Sequence, residues 1–168
     1  MLSILPALPP IGTLIPWANM PKLFAAPLSK LPFQAQKLGL TRVLRQVLEE
    51  AMAMGDCDFL RNKWLEVRID DLNIQWFFSL NDTRQIVMRA HAPADVCISG
   101  NLNEFILLAA RKEDPDTLFF NRRLLIEGDT ELGLATKNLI DSLDLASLPP
   151  ELRFLVRSAG EYVEIFCQ

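Results

Sequence analysis

Between residues 36 and 54, Leu40, Val43, Leu44, Val47, Leu48 and Ala51 recur at intervals of three and four. That is the period of a helix with one buried face, and Gly55 is its natural stop. The period then falls to two. Leu65, Val67 and Ile69 alternate with Glu66, Arg68 and Asp70, and after a turn at Asp70, Asp71 and Asn73 the alternation resumes with Ile74, Trp76, Phe78 and Leu80. Asn81-Asp82 turns again into Gln85–Ala90, where Ile86 and Met88 point one way, and Val96–Ser99 fits a fourth strand. Four strands joined by polar turns predict an antiparallel meander with one buried face.

Beyond Gly100 the helical period returns. Asn101 is placed to cap a helix carrying Phe105, Ile106, Leu108 and Ala109. Asp114-Pro115, an N-cap followed by proline at the first helical position, opens Thr117–Arg122. Leu124–Glu127 is a last short strand, closed by Gly128-Asp129, which also starts a helix striped with Leu132, Ala135, Thr136, Leu139, Ile140 and Leu143. After Pro149-Pro150 a terminal helix carries Leu152, Leu155, Val156, Ala159, Val163 and Phe166. Strands in the middle with helices at both ends predict an α+β domain, one sheet covered by helices on one side.

Charge divides the chain. The first 48 residues carry five basic side chains and no acidic one, whereas the rest carries twelve basic against twenty-one acidic, for a net charge of −4 overall. Seven of the eleven prolines also fall in residues 1–35, so the chain divides into an apolar Pro-rich leader (1–35) and a domain (36–168). Prolines argue against the leader as a spanning helix, because each removes a backbone hydrogen bond that hydrocarbon cannot replace. A weakly cationic, apolar segment suits an anionic lipid surface. The expected membrane-contact residues are Leu2, Ile4, Leu5, Leu8, Leu14, Ile15 and Trp17, with Lys22 and Lys30 near headgroups. The alternatives are an arm folded over the protein's own body and a true membrane anchor.

Chemistry is sparse. His91 is the single histidine, no G-x-S-x-G or phosphate-cradling glycine loop occurs, and the carboxylate pairs Asp70/Asp71 and Asp114/Asp116 sit at turn and cap positions. The cysteines Cys57, Cys97 and Cys167 are odd in number and widely spaced, which reads as reduced thiols in a cytoplasmic protein with no metal site. The acidic body disfavours nucleic acid. Elimination leaves a binding protein for something uncharged and apolar.

The run Arg111-Lys112-Glu113-Asp114-Pro115-Asp116-Thr117-Leu118-Phe119-Phe120, continuing through Arg122–Leu134 to Lys137-Asn138-Leu139, resembles the sterol carrier protein type two domain. It is most similar to the bacterial subgroup tied to ubiquinone biosynthesis. The Lys63-Trp64 and Ile74-Gln75-Trp76-Phe77 strands fit as well. The resemblance implies a five-stranded, mainly antiparallel sheet with helices on one face, a hydrophobic tunnel between the layers, no catalytic residues and no cofactor. It implies a role in holding polyprenylated quinone precursors for modifying enzymes on the oxygen-independent branch of ubiquinone biosynthesis, with other proteins of that pathway as partners. Ile74, Trp76, Phe78, Ile86 and Met88 are then the expected sheet wall. Phe105, Leu108, Phe119, Phe120, Leu132 and Leu139 are the helix candidates. Two other readings stay open: a ligand-free scaffold that docks pathway enzymes, and an enzyme that would have to use His91 or Tyr162.

Overall fold

A computed structural model describes residues 20–143 and 145–166. The leader residues Leu2, Ile4, Leu5, Leu8, Leu14, Ile15 and Trp17, and also Cys167, lie outside the described residues. Helices α1 (Met20–Lys30), α2 (Phe33–Val47) and α3 (Glu49–Met54) come first, followed by strands β1 (Leu65–Ile69), β2 (Ile74–Leu80), β3 (Ile86–Arg89) and β4 (Val96–Gly100). Then come α4 (Leu102–Ala109), α5 (Pro115–Phe120), β5 (Leu124–Gly128), α6 (Thr130–Ser142) and α7 (Pro150–Phe166).

The single helix expected over 36–54 is two. Leu48, at φ −94° and ψ 1°, separates the two although it still bonds to Leu44 and Met52 at 2.8 Å, and Gly55, in the left-handed conformation at φ +86°, ends the second piece. The four-strand meander also needs correction. The sheet order is β3-β2-β1-β4-β5, so the meander ends at β3 and β4 lies parallel to β1, Leu65 level with Val96 and Ile69 with Gly100. The connection Ala90–Asp95 is too long for a hairpin turn. It crosses the outer face, His91 beside Phe77 at 6.5 Å between rings, and is fixed where Asp95 accepts from the Trp64 N–H at 2.8 Å and its own N–H donates to the Trp64 carbonyl. The Asp95 carboxyl is held below the usual carboxylate range, chiefly by that backbone hydrogen bond.

Register puts Leu65, Val67 and Ile69 on one face with Ile74, Trp76, Phe78, Leu80, Ile86, Met88 and Ile98. Helix α2 lies against β3 and α6 against β4 and β5, with α7 packed along α4 outside them. Gly160 permits that last contact, since a Cβ there would come within 2.2 Å of the Ala110 Cβ.

The caps are mixed. Asp114 accepts from the Thr117 N–H at 2.8 Å and Asp129 from the Leu132 N–H at 3.0 Å, as the sequence spacing predicts. Asn101 holds the N-cap position of α4 without a side-chain bond. Asp71 takes its place, accepting from the Leu102 N–H at 2.9 Å while Lys22 approaches its other oxygen at 3.2 Å. One carboxylate therefore ties α1 and α4 to the turn after β1. Arg123 bridges Glu104 at 2.7 Å and Glu113 at 2.6 Å.

Gly128 has φ +106°, and a Cβ there would meet the Asp95 carbonyl at 2.4 Å. Asp129→Ala is therefore expected to cost about 1 kcal/mol for the lost cap, and Gly128→Ala at least about 2 kcal/mol from strain plus collision. Urea unfolding of both variants measures the difference; equal stabilities would refute the close approach.

Candidate functional site

Between the sheet and the helices lies a cavity of about 410 Å³. Its floor is Leu65, Val67, Phe78, Leu80, Ile86 and Ile98. Helix α2 contributes Leu40 and Leu44, α4 contributes Phe105, Leu108 and Ala109, and α6 contributes Thr136, Leu139 and Ile140; Leu48, Cys57, Leu60 and Leu143 complete the wall. These side chains converge because a period of two on the strands and of 3.6 on the helices turns both apolar faces inward.

The few polar groups on this wall are occupied. Thr136 donates from its hydroxyl to the Leu132 carbonyl at 2.7 Å, and Ser79 donates to the Leu60 carbonyl at 3.3 Å. Burial pushes the Cys57 thiol up to about 11, helped by Asp56 and Asp58. Arg111 is the one charged side chain on the lining. It donates to the Asp141 carbonyl at 2.8 Å and to the Leu143 carbonyl, so it clasps the C-terminal end of α6. A wall of this kind recognises shape and hydrophobicity, and it offers no acid, base or nucleophile poised for reaction.

Five expected wall residues meet here: Phe78, Ile86, Phe105, Leu108 and Leu139. Ile74, Trp76 and Met88 do not line the cavity. They form a solid cluster with Ile69 beside it, where Phe33 and Leu40 pack down and the Trp76 indole N–H donates to the Gln36 side-chain oxygen at 2.8 Å. Leu132 packs at the edge of the core around the cavity without lining it. Phe119 and Phe120 face a separate outer groove between α5, β5 and α6, with Phe120 87% exposed. The short α5 turns its C-terminal end outward, so neither ring reaches the sheet's inner face.

Sequence reasoning overlooked Leu40 and Leu44, whose stripe was read as ordinary helix burial, and Cys57 and Leu60, which lie in a segment with no periodicity. Of the candidates for catalysis, His91 is exposed on the opposite face of the sheet and Tyr162 stacks on Phe166 at 4.9 Å on α7. The turn carboxylates are engaged, Asp70 with Arg68 at 2.8 Å and Asp116 with Lys137 at 2.5 Å. Among the described residues no group of three or more His, Cys, Asp or Glu side chains is placed to hold a metal ion, and no helix is long and apolar enough to cross a membrane.

A five-stranded sheet with a one-sided helical cover defines the class, and residues 40–141 match it directly: the chain belongs to the SCP-2 sterol transfer family. Within that class, the ubiquinone biosynthesis accessory factor UbiT of Escherichia coli (strain K12) is 40% identical over 144 residues, which span 86% of this chain and 82% of that protein. The same values hold for UbiT of Escherichia coli O157:H7. Among solved structures, a UbiJ-SCP2 ubiquinone synthesis protein superposes with a TM-score of 0.53 at 19% identity, covering 66% of this chain and 97% of its own. That likeness is one of fold.

The Cys57 and Cys97 thiols are both pushed up to about 11, burial being the first cause for each. A thiol two units above its ordinary value holds about a hundredfold less thiolate at pH 8. In a Cys167→Ser background, both should react with a disulfide reagent at least about a hundredfold slower than a free thiol, and fully once guanidinium is added. Fast labelling of Cys57 in the folded protein would contradict its burial at 1% exposure.

Proposed function

We propose that this protein is a non-catalytic carrier in ubiquinone biosynthesis, on the oxygen-independent branch, which holds the prenyl tail of quinone precursors and presents the ring to modifying enzymes. Membership of the family and the 40% identity to UbiT support the pathway. The cavity carries the chemistry. The cavity is about 410 Å³ and lined almost wholly by apolar side chains, a surface that water solvates poorly. An apolar chain filling it removes that surface from water, and each methylene it buries is worth about 0.8 kcal/mol. A ligand-free scaffold has no use for such a space, so this observation favours the carrier. The protein is then cytoplasmic, with Leu2, Ile4, Leu5, Leu14, Ile15 and Trp17 of the leader (1–35) making transient contact with the membrane and the domain (36–168) storing lipid.

Size sharpens the reading. At about 30 Å³ per non-hydrogen atom, the share a water takes in the liquid, the cavity holds on the order of 14 atoms, or about three isoprene units. A longer tail continues beyond the walls.

Calorimetric titration of delipidated protein with geraniol, farnesol and geranylgeraniol tests this. Affinity should rise at least about tenfold from the first to the second and then level off, since each enclosed methylene strengthens binding about fourfold. Ile86→Phe and Leu108→Phe should move the plateau to shorter chains while thermal stability holds. Absence of binding, or affinity indifferent to chain length and to both substitutions, would overturn the carrier role.

A further inference from the structure

Helix α7 has two apolar faces. The inner one, Leu152, Val156, Ala159, Gly160 and Val163, packs toward α4, with Gly160 against Ala110. The outer one is a second stripe. Phe154 is 69% exposed, Leu155 61%, Ile165 70% and Phe166 51%, with Ser158 and Tyr162 between them. Four large apolar side chains on one exposed stripe of one helix mark an interaction surface rather than scattered surface residues.

The large apolar positions of the stripe are spaced symmetrically about Gly160. Phe154 and Phe166 stand six residues either side of it, Leu155 and Ile165 five, Ser158 and Tyr162 two. A two-fold axis crossing the helix there lays each residue on its counterpart in an antiparallel copy, which is the self-complementarity an isologous interface needs. Charge follows the same symmetry. Arg157 precedes the centre and Glu161 follows it on one flank, 3.1 Å apart within the helix, while Glu164 is held by Lys112 at 2.8 Å; an antiparallel copy sets Arg157 against the second copy's glutamate, whereas a parallel one sets like against like. An anionic bilayer fits worse, because α7 carries two arginines against three glutamates, Glu151 included, and the cationic part of the chain is its first 48 residues. We propose that α7 is the homodimerisation surface of this protein, paired antiparallel with α7 of a second copy.

A 17-residue helix is about 25 Å long, a small footprint that makes the dimer reversible. Sedimentation velocity of the full chain from low to high micromolar should therefore show a mass rising from monomer to dimer. Phe154→Glu and Ile165→Glu, both at exposed positions, should weaken association at least about tenfold with unchanged circular dichroism. Glu161→Arg should also weaken it, and adding Arg157→Glu to that variant should restore it. A monomer at every concentration, or a dimer indifferent to Phe154→Glu and Ile165→Glu, would overturn the proposal. So would a monomer whose flotation with anionic vesicles is lost on Phe154→Glu, which would assign the stripe to lipid.

Discussion

The space between the sheet and its helices is the constraint on which the rest of the molecule depends. A one-sided sheet must be covered, and the simplest cover collapses until side chains interlock at crystalline density. Here the cover is held off by polar ties at its rim. Gln36 on α2 takes the Trp76 indole at 2.8 Å, Gln46 near the end of α2 donates to the Ser147 carbonyl at 2.5 Å, and Arg111 clasps the last carbonyls of α6. The Asp71 carboxylate fixes α1 and α4 to the first turn. Closing the gap would strain these ties, of which the Trp76–Gln36 and Leu102–Asp71 bonds are part-buried, and a hydrogen bond contributes about 0.5–1.5 kcal/mol. The cavity is therefore maintained by its edges, while its interior is left to dispersion and hydrophobicity.

Two apolar regions consequently do different work within the same layer. Ile69, Ile74, Trp76 and Met88 form a dense cluster under the start of α2, and the void opens a few residues further along the same strands at Phe78, Leu80 and Ile86. The solid part anchors α2 so that Leu40 and Leu44 can face open space. This division follows from where α2 crosses the sheet, with its N-terminal half seated and its C-terminal half raised.

From Phe33 onward element types were legible from periodicity, because a stripe of two or 3.6 appears wherever one face is buried, whereas α1 (Met20–Lys30), with Pro21 and Pro27 in it, was not. Cap chemistry was legible for the same local reason: Asp114 and Asp129 act within three residues of themselves. Long-range choices were not. The place of β4 beside β1 depends on the Ala90–Asp95 connection crossing the outer face, and the cap of α4 comes from Asp71, thirty-one positions away. Trp76 and Met88 carry the same pattern signal as Phe78 and Ile86, and only the seating of α2 separates core from cavity wall. Phe119 and Phe120 have an apolar identity but a helix end that turns them outward, which no periodicity over six residues can report.

The central claim is that an apolar chain fills the gap. Native mass spectrometry of the protein purified under mild conditions, followed by solvent extraction and identification of what is released, tests it most directly. The account predicts a mass above that of the bare chain and recovery of prenylated phenols or quinones. A bare-chain mass, with nothing apolar recovered from a folded preparation, would contradict it.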